Sequence, residues 1–572
     1  MELFENIIIE EYNMRIFYYS KIAFFFFLNF FFLAQTVAQE YAKKNSLSAL
    51  IDATSKIRVI TKNKKEYNEA VRKYKDILSS ASSINYESLS LDDQVDYDLL
   101  LSHVKTRIFE YDTIKLYTVH PVSYFVLGRT NSLFTRPGAI ADKGVREAIK
   151  ELDRLPEILS NAKDNLNNPA KVWTQNAIYQ AYYAGVLLND SIPMARVDDP
   201  KIKKELIQAA KKASRSIKSF ETWLEKDLLK RSNRLPHWRP KEIEFYQYTH
   251  EHLDGFGVDK MLEVALKDEI ATRKEMESLA KLIHPSGNLK TVWEKMKDEA
   301  PPWDGVLPMA QSFVDIASSW LMSEGDHVVT IPTYVDYGAM ITAPMGRRAL
   351  SFGGATIGPT VAGRQSGYYI LTPLEDRLSK KEKASRIRSY NPYWTNVISY
   401  HEWLGHNVQK ASANENVTRK MRQLFRSAYF SQSWSFYLEK LLEDEGFFED
   451  RFDYQSSLKH RMARQQMRMW RIQRIITKLK MAKGEMSFDQ AVQIYIDKIG
   501  MEPTNAFIEV QRDSQTPSPP GREIIGEIVI LQLREEYKRR MGNHYTLKRF
   551  NDKLLTYGDL PFKQIRRLMF ND

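Results

Sequence analysis

Cysteine is absent from all 572 residues. That one absence excludes disulfides, thiolate metal sites and cysteine nucleophiles together, so any metal must be held by nitrogen and oxygen. Histidine is scarce, at 11 residues. Beyond the N-terminal region there is no low-complexity segment and no fixed repeat period. A phosphate loop is missing too: the glycine-rich Phe352-Gly353-Gly354-Ala355-Thr356-Ile357-Gly358 lacks the Gly-Lys-Ser/Thr ending and the strand–helix setting, and reads as a flexible flap. The net charge is +11, but the lysines are scattered among Asn, Ile, Phe and Tyr. No basic arm or base-stacking module accompanies them, so no nucleic-acid partner is expected.

What is present describes a soluble body behind an export signal. Hydrophobic residues make up 43% of the chain and charged residues 27%, an ordinary globular balance. Met14-Arg15 and Lys21 precede the apolar run Ile22 to Ala34, and Thr36-Val37-Ala38 suits cleavage before Gln39. Residues 1–38 are therefore expected to be a signal peptide. A start at Met14 would fit it better than the acidic residues 1–13. The run is short for a membrane span, so membrane contact is expected only if the segment stays uncut. The body should be exported, to the periplasm or the medium.

The length exceeds what one compact core usually needs. The expected division is a helical lobe over 39–325 and a second lobe over 326–572. Helical periodicity runs from Leu91 through 144–168, 171–190, 200–230, 259–283 and 305–322, punctuated by proline and glycine. Val328-Val329-Thr330-Ile331, Met340-Ile341-Thr342-Ala343 and Tyr368-Tyr369-Ile370-Leu371 read as short strands. From 379 the pattern is helical again, apart from a loop near 513–520. The fold class expected is mostly α, with a small β element before the segment described next.

His401-Glu402-Trp403-Leu404-Gly405-His406 carries the chemistry. Neutral imidazoles bind zinc, and a neighbouring carboxylate can take a proton from metal-bound water, so Glu402 is the candidate general base. The usual spacing of the two histidines is four. Here it is five, which on a regular helix turns the second ring roughly 140° from the first. Both reach one ion only if the turn is overwound or bulged, a distortion for which Gly405 supplies backbone tolerance. Gln432 and Glu439, seven apart on one helix face, offer the third ligand. Glu439 is chemically the better one, being anionic. Convergence would place the ring nitrogens roughly 3–3.5 Å from a carboxylate oxygen. Further on, Arg464, Arg468, Arg471 and Lys478 form a basic stripe that, if it lined a cleft, would hold a peptide carboxylate or another small anion through bidentate contacts. His250-Glu251-His252 reads as surface histidines, since residues two apart face away from each other.

Together these stretches resemble the family named domain of unknown function 885, almost end to end. The resemblance runs through Leu91 to Glu110, Leu155-Pro156-Glu157-Ile158-Leu159, Gly257-Val258-Asp259 to Glu277, and a tail from Leu531 to Pro561. The family's His-Glu-x-x-Pro-Gly-His segment ending in glutamine corresponds to His401-Glu402…Gly405-His406…Gln409. Its Glu-Gly-Trp-Ala-x-Tyr-x-Glu helix corresponds to Gln432-Ser433-Trp434…Tyr437…Glu439. The resemblance implies a large helical, gluzincin-like fold related to zinc peptidases, with exported members. It also places Gln432 where a glutamate ligand belongs. Other departures are Lys478 and Ala482 for an Asp and a His, Arg512-Asp513 for Arg-Tyr, Glu523 for a tyrosine, and Phe550-Asn551-Asp552 for Phe-His-Asp.

The leading expectation is an exported zinc-dependent, peptidase-like hydrolase acting on short peptides. In it His401 and His406 hold zinc with Glu439 or Gln432, Glu402 is the base, and Tyr437 or Arg512 stabilises the oxyanion. The alternative is a catalytically inactive relative that binds a peptide or small anion.

Overall fold

The computed structural model describes residues 46–134, 142–341, 353–357 and 365–571. The expected signal peptide, Thr342, Ala343, Phe352 and Gly358 lie outside the described residues; the rest of the segment expected to be a flexible flap, Gly353–Ile357, is instead a strand. The chain is mostly helical with one three-stranded sheet, and no described helix is long and apolar enough to cross a membrane.

Local sequence sets the helix ends. Leu91–Ile108 begins at Ser90, whose hydroxyl accepts from the Asp93 amide at 3.2 Å. Asp92 and Asp93 occupy its first turn and Lys105 and Arg107 its last, each charge favourable against the helix dipole. The other expected helices occur as Asp142–Asn165, Lys171–Val186, Pro200–Lys226, Val258–Ile283 and Trp303–Leu321.

Two clusters of apolar side chains form. The smaller is built mainly by the helices 142–165, 171–186 and 200–226. The larger draws on residues from Leu50 to Ile565, so side chains from both sides of residue 325 share one core. At its centre lies the helix Tyr454–Ala482, buried on nearly every side and packed along Val258–Ile283.

The sheet has the order β1-β3-β2, with β1 (Val335–Ile341) parallel to β3 (Gln365–Leu371) and β2 (Gly353–Ile357) antiparallel to it. Val328-Val329-Thr330-Ile331 is not a strand. Its backbone bonds to a turn and to side chains instead: the Val328 amide donates to the Gly325 carbonyl at 3.0 Å, Asn551 Nδ2 donates to the Val328 carbonyl at 2.8 Å, and Asp552 Oδ1 accepts from the Thr330 amide at 2.8 Å. The apolar valines are buried without a ladder. The histidines near 250 are not free on the surface either. His250 stacks on Phe425 at 4.5 Å, and His252, at φ 54°, meets Ser102 and Gln564.

Candidate functional site

The segment that carries the motif is a distorted helix. Asn391 caps Pro392–Tyr400, with its Oδ1 accepting from the Trp394 amide at 3.0 Å and Pro392 at the first position, a favourable start. At His401 the helix widens into a π-helix that lasts to Val408, then tightens into Gln409–Asn416. In a π-helix the bonded residues are five apart, so the spacing that would separate the histidines on a regular helix brings them together. Their ring centroids are 5.0 Å apart.

Gly405 is needed for a different reason from the one expected. Its φ is not in the left-handed region. A Cβ there would lie 2.5 Å from Ser435 Cβ and 2.8 Å from Ser435 Cα. The glycine lets the helix Ala428–Asp444 approach so closely that Ser435 Oγ reaches His406 Nδ1 at 3.2 Å, with Ser431 Oγ at 3.4 Å. Gly405→Ala should overpack this crossing and cost about 1–3 kcal/mol, read as a lower denaturant midpoint with unchanged slope.

Glu439 stands behind His401. Its Oε1 lies 2.7 Å from His401 Nδ1 and accepts from Arg471 Nη2 at 3.3 Å. At 1% exposure this carboxylate orients an imidazole, as carboxylates do behind ligating histidines, and it is not among the cavity walls. Gln432 is.

That cavity measures about 370 Å³, at the small end for ligand sites. Gly353, Gly354 and Ala355 of β2 cover one side. His401, Glu402, His406, Lys410 and Gln432 come from the motif segment and the 428–444 helix. Trp470, Arg471, Arg474, Glu509 and Arg512 come from the helices 454–482 and Pro503–Ser514. Four cations thus face two carboxylates. Trp470 lies under both Arg471 and Arg474, at 4.8 and 4.9 Å from its ring centre, a cation–π arrangement that fixes the guanidinium planes.

Glu509 Oε2 accepts from Trp470 Nε1 at 3.1 Å, Arg474 Nη2 at 3.0 Å and Arg512 Nη2 at 2.9 Å. Arg474 Nη1 donates to Glu523 Oε1 at 2.5 Å. Burial raises the Glu523 carboxyl, but the charges of Arg474, Arg522 and Arg471 outweigh it and bring it to about 2. The Glu509 carboxyl is likewise lowered, Arg512 and Arg474 outweighing its burial. The Nε atoms of Arg471, Arg474 and Arg512 are buried and have no hydrogen-bond partner among the described residues.

A depressed carboxyl stabilises the fold above its unfolded value and ceases to do so as pH falls through its folded value. For Glu523 that window runs from pH 4.5 down to about 2, roughly 3 kcal/mol in all. Glu523→Gln should flatten the stability–pH curve between those limits, measured by denaturation at fixed pH steps.

The expected residues divide by position. His401, His406, Glu402, Gln432, Arg471 and Arg512 meet in the cavity. Arg464 and Arg468 do not line it: Arg464 is paired with Glu443, and Arg468 with Asp268 at 2.8 Å and Glu527 at 2.7 Å. Their charges are spent on neighbours within the core, which corrects their assignment to ligand binding. Tyr437 also faces away. Arg534 donates to its hydroxyl at 3.1 Å and Asn551 Oδ1 lies at 3.4 Å, and burial, opposed by Arg534, pushes the phenol up to about 12. It is not among the residues that line the cavity, unlike Arg512, the other residue expected at the oxyanion. Lys410, Ser431, Ser435, Arg474 and Glu509 were not singled out from the sequence as site residues.

A family model described as "Bacterial protein of unknown function (DUF885)" matches residues 55–569. The chain belongs to this family. Two separately resembling stretches of DUF885 meet in the fold, Gln409 Nε2 donating to Asp559 Oδ1 at 2.5 Å. No match was found among curated proteins. Among solved structures, the chain is similar to a candidate lipoprotein of unknown function from Shewanella oneidensis, at 19% identity and a TM-score of 0.67, covering 94% of this chain and 98% of that one. It is also similar to a candidate lipoprotein from Colwellia psychrerythraea, at 17% identity and a TM-score of 0.69, covering 93% and 98%. At these identities the likeness establishes the fold.

A catalytic zinc site takes three protein donors. Glu439 is bonded to a ring nitrogen of His401, the third wall residue is the neutral amide of Gln432, and no group of three His, Asp or Glu among the described residues could hold one ion. These residues make half a zinc centre and do not fit a complete one.

Proposed function

We propose that this DUF885 member binds a small carboxylate-bearing ligand, a short peptide above all, in the 370 Å³ cavity. The observation that carries this reading is the cationic wall. Three guanidinium groups, those of Arg471, Arg474 and Arg512, line the cavity together, two of them on residues at least nine-tenths buried. Clustered guanidinium cations favour an anion between them, and a carboxylate matches the guanidinium fork. Export to the periplasm or medium is part of the proposal. It is supported by the signal-like residues 1–38 and by the description of the two structural neighbours as candidate lipoproteins.

Calorimetric titration of the chelator-treated protein with alanyl-alanine and with alanyl-alanine amide tests the reading. The acid is expected to bind at least tenfold more tightly. Equal affinity would overturn it.

A second reading, zinc-dependent peptide hydrolysis, is favoured by one specific observation. The π-helix gathers His401, His406 and Glu402 at one cavity, and Glu439 Oε2 is buried with no hydrogen-bond partner among the described residues. Protein expressed in zinc-supplemented medium should then carry zinc above background and cleave peptides in a chelator-sensitive way; neither result is expected on the first reading.

A further inference from the structure

The cavity is cationic but not uniformly so. Glu402 projects from the π-helix into the same space as the guanidinium cluster, and among the described residues it has no ion pair or hydrogen bond. Glu509 differs in that its Oε2 already accepts from Trp470, Arg474 and Arg512. One wall thus offers guanidinium groups, and a separate element offers a carboxylate without a partner among the described residues. A ligand with a negative group alone would bring nothing to Glu402 and would stand near a like charge. A dipolar ligand would satisfy both.

We infer that the ligand is a zwitterion, a free-ended dipeptide whose carboxylate meets Arg471 and Arg512 and whose ammonium group meets Glu402. Size agrees. Two extended residues span roughly 7 Å, and a sphere of the cavity's volume is about 9 Å across. A long peptide would have to leave through the opening, and its charged ends would then miss one of the two walls. In this arrangement Glu402 recognises the free amino end. It selects unblocked dipeptides over amides, blocked peptides and simple anions. The inference rests on the reading of the cavity as a carboxylate-binding pocket and adds the amino-end specificity.

The test is a titration series on the chelator-treated full chain with alanyl-alanine, its amide, propanoyl-alanine and inorganic phosphate. Propanoyl-alanine lacks the ammonium group but adds no bulk. Alanyl-alanine is expected to bind at least tenfold more tightly than each of the others. In Glu402→Gln, the preference over propanoyl-alanine should fall below about threefold while the preference over the amide persists. Equal binding of alanyl-alanine and propanoyl-alanine by the parent would overturn the zwitterion inference and leave the carboxylate reading standing. Equal binding of acid and amide, or no binding of any peptide probe, would overturn both. Phosphate binding as tightly as alanyl-alanine would identify a general oxyanion site and overturn the peptide assignment. The parent series needs no variant, so a Glu402→Gln protein that failed to fold would not rescue the idea.

Discussion

Replacing Arg512 by glutamine is expected to weaken alanyl-alanine binding by about 10- to 100-fold, the weight of one charge-assisted hydrogen bond in a partly desolvated site. Arg512 suits this test because its side chain is 31% exposed and makes one ion pair, to Glu509. Glu509 keeps Arg474 and Trp470 when Arg512 is gone. The fold should therefore survive, which a melting curve checks, and the loss should appear in calorimetric affinity. Arg512→Lys should recover only part of it, since an ammonium cannot present the forked donor pair. Full affinity in Arg512→Gln would remove Arg512 from the ligand site.

The second large effect is on stability. Glu439→Ala should cost about 3–5 kcal/mol, the usual consequence of removing one partner from a buried charged pair. Glu439 is 1% exposed and Arg471 5%. Among the described residues Arg471 would keep no carboxylate partner, only Met467, whose carbonyl lies at 3.3 Å and sulfur at 3.2 Å, and the rings of Trp470 and Phe436, and His401 would lose the carboxylate on its Nδ1. The loss should show as a reduced denaturant midpoint. Glu439→Ala combined with Arg471→Met should recover much of it, because a matched pair removed together leaves no orphan charge. A single Glu439→Ala substitution that costs less than about 1 kcal/mol would mean that the pair does not support the core.

Much of this site was legible in the sequence, and the parts that were not share a cause. The five-residue spacing of His401 and His406 required a bulged turn, and the helix widens there. That inference needed only the geometry of one helix. The basic stripe was harder. Of its members Arg464, Arg468, Arg471 and Lys478, only Arg471 lines the cavity, together with Arg474 beside the stripe, while Arg464 and Arg468 belong to the core. What separates them is the position of carboxylates from distant segments: Glu443 and Glu527 for Arg464 and Arg468, Glu439, Glu509 and Glu523 for Arg471 and Arg474. No local pattern reports such pairings. Glycine was ambiguous for a similar reason. A tight contact with a helix thirty residues on, and not a special dihedral angle, fixes Gly405. The departures from the family pattern also gain a physical sense in three dimensions. Lys478 donates to the Asp513 carbonyl at 2.8 Å, so two positions that changed separately along the chain are neighbours in the fold. Burial lowers that lysine to about 8, with Asp513 opposing the shift.

Gln432 links the two readings of the site. If the cavity lacks a zinc centre because its third donor is an amide, Gln432→Glu should raise zinc affinity by roughly 100-fold through one added anionic donor, measured by competition with a chromogenic chelator. No gain would place the cause elsewhere in the site.

The central claim is that the cavity recognises a peptide carboxylate without a metal. Its most direct test is calorimetric titration of alanyl-alanine into one protein preparation in three states: as purified, chelator-treated, and chelator-treated then resupplied with zinc. The same affinity is expected in all three. Binding that disappears with the chelator and returns with zinc would contradict it.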